Sequence, residues 1–329
     1  MVLMDLSKAY DCIPHDLLIA KLSSYGVDKN SLRLLSSYLS NRRQKVKIGS
    51  LFSELAEILK GLPQGSVLAP LLFNIFFDLM ISYKKNLLCN FADDNTIVSN
   101  GVNLSEIKSN LQEGLDITIK WFEVNSMKAN PDKFQFIVID RNSKTIETEL
   151  NVGKIAIKNK DCVRLLGVTI DKQLLFKNHI KDICEKGEKR FLALMRIRKF
   201  LDYKQTCVLA NSYILSAFKY CNLIWMYCPK KENNKINALH KRILRCIYNS
   251  SEDFGEMLKK HNLNDIHTQN IQSLMLFIFK VLQGECPDIC RDFFKIKEST
   301  YSLRNKHRLE LPTCNSNKYG IKTIFLKEA

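Results

Sequence analysis

Three aspartates stand where apolar segments would ordinarily exclude them. Asp5 closes the run Val2-Leu-Met-Asp5, and Asp93 and Asp94 sit side by side between Leu87–Ala92 and Asn95–Val98. Those two stretches read as the strands of a hairpin with the acidic pair at its tip. Asp is disfavoured in strands and adjacent carboxylates repel, so the cluster calls for a compensating charge. A divalent cation supplies one, because hard oxygen ligands suit Mg²⁺, or Mn²⁺ in its place. An exposed acidic pair in a turn satisfies the same spacing with no metal at all. A softer ligand set is offered by Cys286-Pro-Asp-Ile-Cys290 and Cys221…Cys228, with His240, His261 or His267. Neither has the paired spacing of a zinc module.

The elements that must position these residues follow from periodicity. Val2–Leu6 is a short strand running into a helix from Ser7 to about Tyr25, closed by Gly26. Lys45–Ile48 reads as extended, and Gly61-Leu-Pro-Gln-Gly65 is a turn opening an apolar helix over Val67–Tyr83. Leu104–Asn125 is helical, while Phe134–Asp140 and Arg164–Ile170 are strands. From Phe176 the period becomes helical: Phe176, Ile180, Ile183, Cys184, Gly187, Phe191, Leu194 and Met195 form one stripe. Lys177, Lys181, Lys189 and Arg196 lie off it. Further helical patterns cover Gln205–Tyr227, Lys235–Tyr248 and Ile271–Gln283. The expected class is α+β, an antiparallel sheet backed by helices and followed by a helical half.

Composition bounds the function. The 329 residues carry a net charge of +16 with 46% apolar and 26% charged residues, which is globular rather than disordered and long enough for two domains. Residues 1–170 hold 21 Lys+Arg against 18 Asp+Glu, and residues 171–329 hold 29 against 16. The basic excess therefore belongs to the second half, where solvated helix surface competes with a footprint for phosphates. The first residues lack the basic and apolar regions of a secretory signal. Ser66–Tyr83 is the most apolar stretch, but Pro70, Asn74 and Asp78 interrupt it, so it reads as a buried helix and not a membrane span. Eleven scattered Cys without a signal point to free thiols in a reducing compartment, the cytoplasm or nucleus.

The words around the aspartates carry a resemblance. Leu3-Met-Asp5-Leu-Ser-Lys8-Ala-Tyr10-Asp11-Cys-Ile-Pro-His15 resembles motif A of the reverse transcriptases of non-LTR (LINE-like, jockey-type) retrotransposons. Gly61-Leu-Pro-Gln64-Gly65-Ser-Val-Leu-Ala-Pro70-Leu-Leu-Phe73 is similar to their motif B, and Phe91-Ala-Asp93-Asp94 to motif C. Trp121-Phe, Asn125 and Asn130-Pro-Asp-Lys133 match the approach to motif D, and Leu165-Leu-Gly167-Val-Thr-Ile-Asp171 resembles motif E. All five stand in the family's order. Beyond them, the helical half and Tyr301-Ser-Leu-Arg304-Asn305 resemble the thumb and C-terminal region more loosely. Ala69 and Phe134 depart from the usual Gly and Thr.

The resemblance implies an RNA-directed DNA polymerase with a palm over residues 1–171, a basic helical thumb over 172–285 and a C-terminal segment over 286–329. It implies an RNA template, a DNA primer and dNTPs as partners, with no membrane. Two Mg²⁺ ions held by Asp5, Asp93 and Asp94 would serve nucleotidyl transfer. The backbone carbonyl of Leu6 would add a ligand, Tyr10 would exclude a ribose 2′-hydroxyl, and Gln64 and Gly65 would touch the nascent base pair. Lys133 would act as general acid, and Leu166, Gly167 and Val168 would form the primer grip. Core packing remains the competing role for Tyr10, as surface charge does for Lys133. Asp11 and His15 are expected to cap or pack. Asn41-Arg42-Arg43-Gln44-Lys45 resembles a template-side contact, with a solvated loop equally open. Asp5 lies so near the first residue that the fingers preceding motif A are expected to be missing, as is a terminal zinc knuckle. A fragment without turnover that only binds nucleic acid is the rival expectation.

Overall fold

Val2, Leu3 and Met4 are buried and form β1 (Val2–Met4), which stops where Asp5 would carry a charge into the core. The computed structural model describes residues 1–78, 86–140 and 147–294, with the backbone of 296–297 and 308–309. It contains two compact units, Met1–Leu166 and Gly167–Ala329.

In the first unit the expected helix from Ser7 to Tyr25 is two helices, α1 (Ala9–Cys12) and α2 (His15–Ser24). Pro14 lacks an N–H and disfavours helical backbone at Ile13, which is extended at ψ 116°. α3 (Lys29–Leu39) follows, its first turn capped by the Asp28 carboxylate. An antiparallel arm then pairs β2 (Arg43–Gln44) with β5 (Ala56–Glu57) and β3 (Lys47–Ile48) with β4 (Leu51–Phe52). Its strands are exposed, with Lys45 and Lys47 over the Phe52 ring. α4 covers Ala69–Phe76; the rest of the expected helix to Tyr83 lies largely outside the described residues.

β6 (Leu87–Phe91) and β7 (Asp94–Val98) make the expected hairpin with one correction. Phe91 pairs with Asp94, so the turn is Ala92-Asp93 and Asp94 already belongs to the strand. Two-residue turns suit the twist of paired strands, and Ala92 adopts φ +52° to make this one. α5 (Leu104–Val124) packs behind, capped by Asn103. β8 (Gln135–Phe136) is shorter than the expected strand to Asp140. The sheet is antiparallel in the order β6-β7-β1-β8, with Met4 opposite Asn95 and Val2 opposite both Ile97 and Phe136. Its core contains Val2, Met4, Ile13, Phe73, Phe76, Ile97, Leu115, Phe122 and Phe136. A hairpin of β9 (Glu149–Val152) and β10 (Ile155–Lys158) and then β11 (Cys162–Leu165) complete the unit.

The second unit opens with β12 (Val168–Asp171), so the expected strand Arg164–Ile170 is two strands separated by Leu166-Gly167, both at positive φ. Asp171 caps the following loop, accepting from the backbone N–H of Gln173, Leu175 and Phe176. α6 (Lys177–Ile197) buries Ile180, Ile183, Gly187, Phe191 and Leu194, while Met195 at the end of the stripe is exposed. A Cβ on Gly187 would lie 2.8 Å from Leu239 Cδ2, so this glycine lets α6 approach its neighbour. The pattern over Gln205–Tyr227 is broken into α7 (Tyr203–Leu209), a π turn at Ala210–Ile214, a 3-10 turn and α8 (Asn222–Trp225). α9 (Lys230–Tyr248), α10 (Phe254–Lys260) and α11 (Ile266–Gln283) follow around a core of Ile180, Phe191, Phe218, Trp225, Ile236 and Ile243.

Candidate active site

Continuing the β1–β7 register by one step past Met4 and Asn95 sets Asp5 across from Asp94. Both line a cavity of about 360 Å³ with Met4, Thr96, Asp132, Lys133, Lys160, Arg164 and Leu166. Lys133 Nζ stands 3.3 Å from Asp5 Oδ2, the Lys side chain two-thirds exposed and the Asp one-third. Asn130 fixes Asp5 from the same side: its backbone N–H donates to the Asp5 carbonyl at 3.0 Å, and its side-chain amide lies 3.5 Å from Oδ2. Among the described residues, the structure shows no side chain holding the Asp94 carboxylate in this way. Burial pushes its carboxyl above the usual range, and the charges of Asp93 and Asp5 push it further. Asp93 sits in the turn, its carbonyl accepting from Asn95 Nδ2 at 2.8 Å, and does not line the cavity.

The model of the family described as reverse transcriptase (RNA-dependent DNA polymerase) matches residues 1–170, more than half the chain. The chain belongs to that family. Among its relatives, the probable RNA-directed DNA polymerase from transposon BS of Drosophila melanogaster is 29% identical over 271 residues, covering 75% of this chain and 28% of that protein. The RNA-directed DNA polymerase from mobile element jockey of the same organism is 26% identical over 82% of this chain and 31% of its own length. The chain thus spans less than a third of these relatives. Telomerase from Candida albicans aligns at TM-score 0.35 and 15% identity over 80% of this chain and 51% of that one, a score too low to argue from.

Reverse transcriptases generally use divalent metal ions. The donor chemistry here fits such an ion, with hard carboxylate oxygens of Asp5 and Asp94 lining one cavity and burial, then the charges of Asp93 and Asp5, raising the Asp94 pKa. Among the described residues, however, no group of three or more His, Cys, Asp or Glu side chains converges as a ligand set. Water and substrate oxygens would have to complete the shell, as Mg²⁺ commonly requires.

The structure gathers Asp5, Asp94, Lys133 and Leu166 at the cavity, while Leu6, Tyr10, Gln64, Gly65 and Asp93 do not line it. Leu6 is buried beside Ala129. Tyr10 is half-buried and stacks on Phe73 at 4.4 Å, heading a run of rings through Phe77 to Trp121. Gln64 is exposed, donating to Asp11, and lines a second cavity of about 690 Å³ with Lys8, Arg42 and Lys60. Gly65 holds φ +81°, a conformation that favours glycine whatever the space around it. Gly167 and Val168 belong to the second unit. Sequence reasoning missed Lys160 and Arg164, two basic residues outside any motif that β11 and its approach bring to the carboxylate cavity. Asn130 was visible only as a motif letter.

Proposed function

We propose that this chain carries the polymerase centre of a non-LTR retrotransposon reverse transcriptase, adding dNTPs to a primer 3′-hydroxyl on an RNA template. The observation that carries the reading is the placement of Asp5 opposite Asp94 in one cavity, with Lys133 against Asp5. On this reading the first unit is the palm and the second the basic helical thumb, with Arg42, Arg43 and Lys45 of the arm on the template side.

In the reaction the 3′-hydroxyl gives up its proton to water, its oxygen bonds to the α-phosphorus, the α–β bridging bond breaks and pyrophosphate leaves. A pair of divalent ions supplies charge neutralisation of the attacking and leaving oxygens when bound. Asp5 and Asp94 would hold them, with Asp93 contributing charge from the turn and the Leu6 carbonyl as a further ligand. Lys133 would move from Asp5 toward the departing pyrophosphate and donate its proton there. Tyr10, braced by Phe73, would stand against a 2′-hydroxyl, and Gln64 with Gly65 would meet the nascent base pair. Lys160, Arg164 and Leu166 would bear on the primer strand, the role also proposed for Gly167 and Val168.

Primer extension on an RNA template with Mg²⁺ and dNTPs tests the reading, run beside salt-dependent RNA binding. Extension by the wild-type chain and its loss in Asp5→Asn, with RNA binding retained, is the expected result. Salt-sensitive binding without extension would instead make the chain a nucleic-acid-binding remnant.

A further inference from the structure

Asp11 and His15 take no part in the mechanism above, yet both reach the loop that carries Gln64. The backbone zips the two segments together: Gly61 N–H donates to the Ile13 carbonyl and Leu62 N–H to the Tyr10 carbonyl, each at 2.8 Å. Pro14 and Lys60 form a bridge beside them. Gly61 comes so close that a Cβ there would lie 2.8 Å from Asp11 Cα and 2.9 Å from its carbonyl oxygen, at φ +91°. Two side chains lock this contact. His15 Nε2 lies 2.8 Å from the Gly61 carbonyl, which can only accept, so Nε2 carries the proton. Asp11 Oδ1 accepts from Gln64 Nε2 at 3.0 Å. A carboxylate cannot donate, so the amide nitrogen of Gln64 must face Asp11 and its carbonyl oxygen must point elsewhere.

We propose that Asp11 and His15 are positioning residues that fix the Gln64 loop against Tyr10, so that the base-pair contact and the sugar gate are held as one rigid unit. The inference rests on the polymerase reading for what that unit touches. Its chemistry is specific: His15 holds the loop backbone, and Asp11 sets which end of the Gln64 amide is offered to an incoming nucleotide.

Hydrogen exchange of the full chain, read by mass spectrometry over Gly61–Gly65, reports on the loop with or without turnover. His15→Ala and Asp11→Ala are expected to speed exchange there about tenfold, the scale of one hydrogen bond to a charged or buried partner. His15→Gln and Asp11→Asn keep the needed donor or acceptor and are expected to restore most of the protection. In primer extension, Asp11→Ala is expected to raise KM for dNTP about tenfold while kcat changes less than twofold, with Asp11→Asn recovering most of the loss. Unchanged exchange in both alanine variants overturns the inference, as does an Asp11→Ala effect confined to kcat. A wild-type chain that extends no primer overturns the polymerase reading instead, and the exchange result then decides this inference alone.

Discussion

Replacing Lys133 by Met removes the cation 3.3 Å from Asp5 while keeping the length of the side chain. At that distance two unit charges in water attract by about 1.3 kcal/mol. Side-chain entropy and screening reduce exposed pairs to about 0.2–1 kcal/mol, and this pair, with Lys133 two-thirds exposed, belongs near the upper end because Asp5 is only one-third exposed. On the proposed function, a metal ion held by Asp5 would compete with Lys133 for the same oxygen. Lys133→Met should therefore tighten Mn²⁺ or Mg²⁺ binding about two- to fivefold at low ionic strength, the range those energies convert to. The gain should shrink at 1 M salt, where charges are screened within about 3 Å. Turnover should move the other way, falling at least about tenfold if Lys133 protonates pyrophosphate. Calorimetric titration of the metal with and without the substitution, beside single-turnover extension, separates the two effects. Unchanged or weaker metal binding at low salt would refute the competition, and an unchanged rate would refute the acid role.

Three further outcomes follow from the geometry. His240 is buried on α9 and its pKa is lowered to about 4, chiefly by burial and against a smaller opposing pull from Asp265. The unfolded chain takes up this proton first, near pH 6.5, so the second unit should lose about 3 kcal/mol between pH 6.5 and 4 from this group. Acid unfolding curves of wild type and His240→Leu with equal slopes in that window would contradict it. Asp171→Ala leaves three backbone N–H groups without their acceptor and should destabilise the second unit by about 1–2 kcal/mol, visible in urea unfolding, with Asp171→Asn milder. Ala92→Gly removes the cost of an alanine at φ +52° and should raise the thermal midpoint of the first unit by the equivalent of about 1 kcal/mol; a lowered midpoint would show that the turn is not strained.

The residues of the proposed site could be picked out because they stand in local words, Asp5 with its flanks, Phe91–Asp94, and Asn130–Lys133. Their assembly was not. Apolar alternation located the hairpin but left its turn free by one residue, and the shift matters because it makes Asp94 part of β7, whose register with β1 runs on to Asp5. The break between α1 and α2 was present as Pro14, a signal that the helical period of Ser7–Tyr25 overrode. Over Gln205–Tyr227 the apolar period survived while the hydrogen-bond pattern switched from α to π to 3-10, which side-chain spacing does not encode. Lys160 and Arg164 could be found only by folding, since a distant strand carries them to the cavity. Asp11 shows the converse: its sequence neighbourhood read as helix capping, and its partner is 53 residues away.

On the proposed function, Asp5 and Asp94 together run nucleotidyl transfer. Single-nucleotide incorporation on an RNA template, with the templating base varied and Mg²⁺ present, tests it most directly. The wild-type chain is expected to add only the complementary dNTP, and Asp94→Asn to add none while keeping its fold. Incorporation by Asp94→Asn at the wild-type rate would contradict it.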